Sequence, residues 1–192
     1  MKIRLTVSIP NWLDRIFACF VLFYRRRRFG FAFRKIRLTE GKFALVDQQD
    51  FYWLNSFDWF AKKNNKSFYA IRLDNDNSKW PTFVYMHREI MNFPKGLFVD
   101  HRNRDGLDNR RSNLRIATRC QNRCNTNINK VGCSSQYRGV TWDKQVKRWR
   151  VGLQSQGKYI GIGYFDSEIA AARAYDEAAK KYHGEFARLN NV

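Results

Sequence analysis

The clearest alternation of apolar and polar positions lies in the last third of the chain. Trp149, Val151 and Leu153 alternate with polar residues, which is the pattern of a strand with one buried face. Three such segments follow one another, at residues 137–143, 148–154 and 158–164. Small and aromatic residues between 170 and 182 then recur at helical spacing, and Gly184 follows as a stop signal. The pattern predicts a three-stranded antiparallel sheet packed on one helix.

Residues 36 to 92 carry shorter apolar segments that are bounded by polar turns. The predicted strands are residues 42–46, 59–63, 67–73 and 82–86. Asp47 is placed to cap a short helix that runs through Leu54. The many aromatic side chains of this region are interpreted as core, because no catalytic cluster accompanies them. We therefore expect a small β-rich scaffold.

The N-terminal segment combines an apolar helix with a basic end. Pro10 and Asn11 can open the helix, residues 12–24 are mostly apolar, and four arginines follow at 25–28. Three alternatives stay open: a packed helix with its arginines on DNA phosphates, a helix on a membrane surface, or a poorly ordered arm. The apolar run is shorter than the roughly 20 residues of a membrane span, and no signal peptide cleavage site follows it. We expect a cytoplasmic protein without a span.

Charge and cysteine content narrow the class of partner. The chain of 192 residues has 36 Lys and Arg against 17 Asp and Glu, a net charge of +19. Such an excess favours a polyanion, and nucleic acid is the natural one. Four cysteines are too few for a disulfide scaffold in a chain of this length. Cys120, Cys124 and Cys133 lack the further ligands of a zinc site, so ordinary thiols are favoured.

Chemistry-bearing residues concentrate between positions 97 and 126. Asp100 and His101 end a β segment, and asparagines and arginines follow. Phosphodiester hydrolysis needs an activated water and a cation for the developing charge. Asp100 and Asn122 offer hard oxygen ligands for Mg²⁺ or Mn²⁺, and His101 can act as general base near neutral pH. His87 and His183 lack such surroundings and are not expected to take part.

The motifs Val99-Asp100-His101, Asp108-Asn109-Arg110, Asn113-Leu114-Arg115 and Asn122 resemble the HNH endonuclease family, above all its phage homing and nicking members. The resemblance covers about residues 83–126. It implies a ββα-metal finger with one divalent cation, Mg²⁺ or Mn²⁺, on Asp100 and Asn122. It also implies that His101 is the base, that Asn113 aligns its ring, and that Arg115 or Arg119 contacts phosphates. The loop at 102–105 departs from the usual family pattern.

The C-terminal segment has a resemblance of its own. Tyr137-Arg138-Gly139-Val140, Trp149-Arg150-Val151, Gly163-Tyr164-Phe165 and His183-Gly184 are similar to the Apetala/ethylene-response-factor domain over residues 137–190. This implies a sheet that enters the major groove of double-stranded DNA. The predicted DNA-binding residues are Arg138, Gly139, Thr141, Lys144, Arg148, Arg150, Gln154, Lys158 and Tyr159. The plant target sequence does not carry over, because several groove-reading positions differ.

These features predict an α+β protein with a ββα-metal HNH finger on a small β-rich scaffold, followed by the three-stranded sheet and its helix. The expected boundaries are a basic helical segment at 1–35, a nuclease domain at 36–130, a linker at 131–136 and a DNA-binding domain at 137–192.

The predicted function is metal-dependent cutting or nicking of double-stranded DNA, with a location in the cytoplasm on nucleoid or phage DNA. The main alternative is a non-catalytic transcriptional regulator, and an RNA binder is a distant third. One centre per chain suits a nicking monomer, while the target sequence, the kind of break and the oligomeric state stay open.

Overall fold

The computed structural model of the chain describes residues 11–64, 67–74, 82–125 and 133–192. The predicted segments at 1–10 and 131–132 lie outside this range. The chain forms two compact units: Met1–Ile90 with Gly106–Asn113, and Met91–Asp105 with Leu114–Val192. The second unit thus joins part of the segment predicted as the nuclease domain with the segment predicted to bind DNA.

The first unit begins with helix α1, Asn11–Phe29, as the apolar run predicts. Ala18 is buried, and the carboxylate of Asp14 accepts a hydrogen bond from the Tyr52 hydroxyl at 2.9 Å. Of the three alternatives for the N-terminal segment, the packed helix is the one that these contacts support. No helix in the described part of the chain combines the length and the hydropathy needed to cross a membrane.

Two small sheets complete the first unit. Strands β1, Arg34–Arg37, and β2, Phe43–Val46, form an antiparallel pair that is followed by helix α2, Gln48–Leu54. Strands β3, Phe60–Asn64, β4, Ser67–Asp74, and β5, Thr82–Tyr85, form an antiparallel sheet in that order, and helix α3, Met86–Ile90, follows. The predicted strands match β2 to β5 closely, whereas β1 was missed.

The second unit contains a finger and a three-stranded domain. The finger consists of β6, Phe98–His101, β7, Leu114–Ala117, and helix α4, Arg119–Cys124. Strands β8, Val140–Asp143, β9, Arg148–Ser155, and β10, Lys158–Phe165, form an antiparallel sheet with β9 at its centre. Helix α5, Glu168–His183, packs on this sheet.

The core between the sheet and α5 explains the predicted pattern. Val151 and Leu153 are buried against small residues of the helix, and Tyr175 fills the centre. The Ser167 hydroxyl caps the start of α5 by accepting from Ala170 N, and Gly184 ends it with a φ of 53°. Small side chains on one helix face let the helix lie close to the sheet. The α+β prediction and its sheet-on-helix domain are confirmed.

Candidate functional site

The finger places its chemistry through strand register and a helix cap. In the β6 and β7 pair, Asp100 lies opposite Arg115 and His101 lies opposite Leu114. Helix α4 starts with a capping box, in which the Thr118 hydroxyl accepts from Gln121 N and the Gln121 side chain accepts from Thr118 N. The cap fixes the direction of a short helix that packs on both strands.

Asp100 is the most constrained group of the finger, and its side chain is only 8% exposed. Arg115 Nε donates to Oδ2 at 2.8 Å, and Arg115 Nη2 lies 2.7 Å from the same oxygen. Asn125 Nδ2 lies 3.0 Å from both carboxylate oxygens. A buried carboxylate needs such partners to stay charged. Its orientation is therefore held from two sides.

His101 lies beside this group and is 5% exposed. Its backbone oxygen accepts from Asn125 Nδ2 at 2.9 Å and from Arg104 N at 2.9 Å. These bonds form a turn just after β6 and fix the backbone that carries the imidazole of His101. The role of His101 as general base stays a prediction.

Asn122 is half-buried on α4, one helical turn before Asn125. Asn125 contacts Asp100, and residues three apart share a helix face. Asn122 therefore lies on the same side of α4 as Asn125. One carboxylate and one amide oxygen suit Mg²⁺, which keeps waters and takes further oxygens from substrate phosphates. No group of three or more His, Cys, Asp or Glu side chains forms a metal cluster within the described residues.

Asn113 belongs to the first unit, on the loop Gly106–Asn113. Its Nδ2 donates to the backbone oxygen of Asp108 at 2.7 Å. The loop is held by β2, since Leu45 N donates to Leu107 O and Asn109 N donates to Leu45 O, each at 2.8 Å. These bonds fix the local backbone around Asn113, while its predicted alignment of the base stays a prediction.

Two further ion pairs hold the same loop inside the first unit. Arg110 pairs with Asp108 and lies over the Phe31 ring, and Arg111 pairs with the buried Asp50. Asp47 stands at the N-cap position of α2, but its side chain accepts from Arg111 N instead of capping the helix. The β-rich scaffold therefore holds the loop Gly106–Asn113, which carries part of the motif, in place.

Arg115, one of the two predicted phosphate contacts, is buried. Its side chain is 6% exposed and is committed to Asp100 and to the backbone oxygen of Glu185 at 2.5 Å. The described contacts of this guanidinium thus lie within the chain, and the DNA contact of Arg115 stays a prediction. Arg119, the other predicted phosphate contact, is exposed at the start of α4.

Two residues of the finger's surroundings were missed by sequence reasoning. Asn125 donates to both Asp100 and His101, and its position three residues after Asn122 was a usable signal. Glu185 contacts Arg115 from 70 positions further along the chain, and no local pattern indicates that contact.

The outer face of the three-stranded sheet is polar and open. Thr141 on β8 and Tyr164 on β10 both lie opposite Arg150 on β9, and Thr141 and Arg150 are exposed. Tyr159 is 60% exposed and lies over Gly152, where any side chain would overlap its ring. Lys144, Gln154 and Lys158 are also exposed. Most of the predicted DNA-binding residues are thus exposed.

Three predicted DNA contacts in this domain have other partners. Arg138 Nε donates to the Tyr175 hydroxyl at 2.9 Å, on the helix side. Gly139 has a φ of 72° and packs so closely on Tyr175 that a side chain would overlap the ring. Arg148 forms a bidentate pair with Asp166 on the surface. All three residues therefore have partners within the chain, and their DNA contacts stay predictions.

Burial shifts two titrating groups in this unit. Burial raises the pKa of the Tyr175 hydroxyl, and the charge of Arg138 opposes that rise. Burial likewise raises the pKa of the Cys124 thiol. Cys19, Cys120, Cys124 and Cys133 form no disulfide bonds.

Comparison with protein families divides the chain in two. The HNH endonuclease family matches residues 92–124, and the AP2 domain family matches residues 135–185. The chain is 28% identical over 153 residues to a mimivirus protein described as the uncharacterized HNH endonuclease L560, from Acanthamoeba polyphaga mimivirus. That match covers 80% of this chain and 77% of the viral protein.

Two further relatives show where each part is shared. Protein 3.8 of Escherichia phage T7 is 30% identical over 96 residues, which are 50% of this chain and 78% of the phage protein. The AP2-like ethylene-responsive transcription factor TOE2 of Arabidopsis thaliana is 49% identical over 59 residues, or 31% of this chain. The chain spans only 12% of that plant protein. No solved structure matches significantly. The chain therefore contains an HNH endonuclease domain at residues 92–124 and a C-terminal AP2 domain at residues 135–185.

Proposed function

We propose that the protein is a metal-dependent DNA endonuclease of the homing type, which nicks or cleaves double-stranded DNA while its AP2 sheet holds the target. The observation that carries the proposal is the buried Asp100 and His101 pair on β6, packed against the helix that bears Asn122. The match of this region to the HNH family supports the same conclusion. With one such centre per chain, a monomer would nick.

Asp100 and Asn122 would hold one Mg²⁺ or Mn²⁺ ion. When bound, such an ion stabilises negative charge on the phosphate and on the leaving oxygen. The chain's own contribution is to keep the carboxylate oriented before substrate arrives. Arg115 and Asn125 supply that restraint through the hydrogen bonds already described.

His101 would take the proton from the attacking water at an imidazole nitrogen. An imidazole with a pKa of about 6.5 accepts a proton well near neutral pH. The backbone bonds from Asn125 and Arg104 hold the residue at the end of β6. Asn113 would keep the ring aligned, as the family resemblance implies.

The outer face of the AP2 sheet would bind the DNA. Its exposed polar row can contact base edges and phosphates in the major groove, as other β-sheet readers do. Arg119 on α4 would contact a phosphate near the cut. The proposed binding residues on the sheet are Thr141, Lys144, Arg148, Arg150, Gln154, Lys158 and Tyr159.

A second candidate function is DNA binding without catalysis. The observation that favours it is the likeness of residues 135–185 to a domain found in plant transcription factors. Under this alternative, the protein would bind a specific site and leave the DNA intact.

Incubation of supercoiled plasmid with the protein and Mg²⁺ or Mn²⁺ separates the two candidates. The wild type should yield relaxed or linear product, and His101→Ala should not, while still binding DNA in Ca²⁺. His183→Ala is the matched control, because this histidine lies outside the centre and contacts Gln154 O. Intact plasmid with bound wild type would refute the nuclease and favour the regulator, whereas cutting by His101→Ala would refute only the base.

Fluorescence anisotropy with labelled duplex tests the sheet. Arg150→Ala should weaken DNA binding. It should also reduce the slope of log affinity against log salt concentration by about 1, which corresponds to one lost phosphate contact. Arg173→Ala removes the same charge from an exposed position on α5 and serves as the control. Equal losses from both variants would mean that general charge, and not the sheet face, binds the DNA.

A further inference from the structure

A turn at the end of the AP2 domain contacts the finger within the second unit. Gly184–Phe186 form a 3₁₀ turn directly after α5. Phe186 is buried, and the Arg115 guanidinium carbon lies 3.9 Å from the centroid of its ring. Arg115 Nη1 also donates to the backbone oxygen of Glu185 at 2.5 Å. The turn therefore holds one guanidinium by its face and by its edge.

The same guanidinium is the main partner of Asp100. Nε and Nη2 reach Oδ2 at 2.8 and 2.7 Å. Two donors that converge on Oδ2 fix the position of that oxygen, because each N–H must point at its acceptor. Asn125, the C-cap residue of α4, lies within hydrogen-bond distance of both carboxylate oxygens and restrains the second one. Any freedom gained by Arg115 would pass directly to Asp100.

A second ion pair joins the turn to the finger. Arg102 follows His101 and donates from Nη1 to Glu185 Oε2 at 2.6 Å. Both side chains are about half exposed, at 45% and 57%, so water screens this pair. The buried contacts of Arg115 with the Glu185 backbone and the Phe186 ring are the stronger connection.

We propose that Glu185 and Phe186 are positioning residues of the nuclease centre, which act through Arg115 to hold the Asp100 carboxylate in the orientation that receives the divalent ion. This inference rests on the proposed nuclease function. The AP2 domain would then contribute to catalysis as well as to DNA binding. Removal of groups that orient a metal ligand typically lowers metal affinity or activity by about 10- to 100-fold.

Phe186→Leu tests the inference in the full-length protein. Leucine keeps the site apolar but removes the ring face over Arg115. Phe165→Leu is the matched control, because Phe165 packs against the core between the AP2 sheet and α5. Phe186→Tyr keeps the ring and should behave as the wild type. Three quantities are measured: Mn²⁺ affinity from the paramagnetic resonance of the free ion, single-turnover nicking rate, and DNA affinity in Ca²⁺.

Phe186→Leu should weaken Mn²⁺ binding by about tenfold and slow single-turnover nicking, with DNA affinity no lower than that of Phe165→Leu. Equal Mn²⁺ affinities in the two leucine variants, or an effect on DNA affinity alone, would overturn the inference. A wild type that binds Mn²⁺ without nicking would refute the nuclease, and the variants' Mn²⁺ affinities would then decide the inference by themselves. A wild type that neither binds Mn²⁺ nor nicks DNA would overturn both.

Discussion

Removal of the Arg115 charge should destabilise the protein far more than removal of the Arg102 charge. The Arg115 and Asp100 side chains are 6% and 8% exposed, whereas those of Arg102 and Glu185 are 45% and 57% exposed. Breaking a buried pair strands the other charge and costs about 3 to 5 kcal/mol. Asn125 would still donate to Asp100, so Arg115→Met should lie near the lower end, at about 3 kcal/mol. Arg102→Met should cost about 1 kcal/mol or less.

Urea unfolding in EDTA, followed by tryptophan fluorescence, measures both free energies without a metal contribution. The double variant Asp100→Asn with Arg115→Met should lose less than the sum of its single variants, by about 1 to 3 kcal/mol, because no buried charge is left unpaired. Similar small losses for Arg115→Met and Arg102→Met would refute the reasoning. Strict additivity in the double variant would refute the direct coupling of Arg115 to Asp100.

Three further outcomes follow from local geometry. Because burial raises the pKa of the Cys124 thiol, iodoacetamide should modify Cys124 more slowly than Cys120 near neutral pH, and peptide mapping at higher pH should find the difference reduced. Gly139→Ala should destabilise by more than about 1 kcal/mol in urea unfolding. It should exceed Gly157→Ala, since both have positive φ but only position 139 meets a buried ring. Backbone N–H donors, Val146 N first, lower the pKa of the Asp143 carboxyl. The stability that Asp143 gives to the β8–β9 turn should therefore be fully present above the ordinary carboxyl pKa and be lost as pH falls through the lowered pKa. An NMR titration of Asp143 with its midpoint at the ordinary carboxyl pKa would contradict this.

Elements with local signals were predictable from the sequence. On β9, Val151 and Leu153 are buried while Arg150 and Gln154 are exposed, because alternation is a property of the strand itself. The finger was predictable because the residues that define it lie within one short stretch of the sequence. Strand β1 was missed because only Ile36 is buried among its four residues, and the three basic neighbours mask the alternation.

Side-chain partners were predictable only where they are close in sequence. Arg115 meets Glu185 after 70 positions, and Arg138 meets Tyr175 after 37. An arginine that binds a phosphate and one that binds a buried carboxylate have the same local sequence signature. Which one occurs depends on long-range packing, and both arginines turned inward here. The assignment of the Gly106–Asn113 loop to the first unit depends on similar distant contacts.

The count of 36 Lys and Arg residues therefore overstates the number of cations that are available to DNA. Carboxylates in and around the HNH motif are used to hold arginines in place, in the pairs of Asp50 with Arg111, Asp100 with Arg115, and Asp108 with Arg110. A paired guanidinium releases few counterions when DNA binds, because its charge is already compensated. The salt dependence of binding should accordingly follow the exposed cations of the sheet and of α4. The carboxylates of these three pairs thus decide which arginines build the finger and its loop, and the exposed cations remain for DNA.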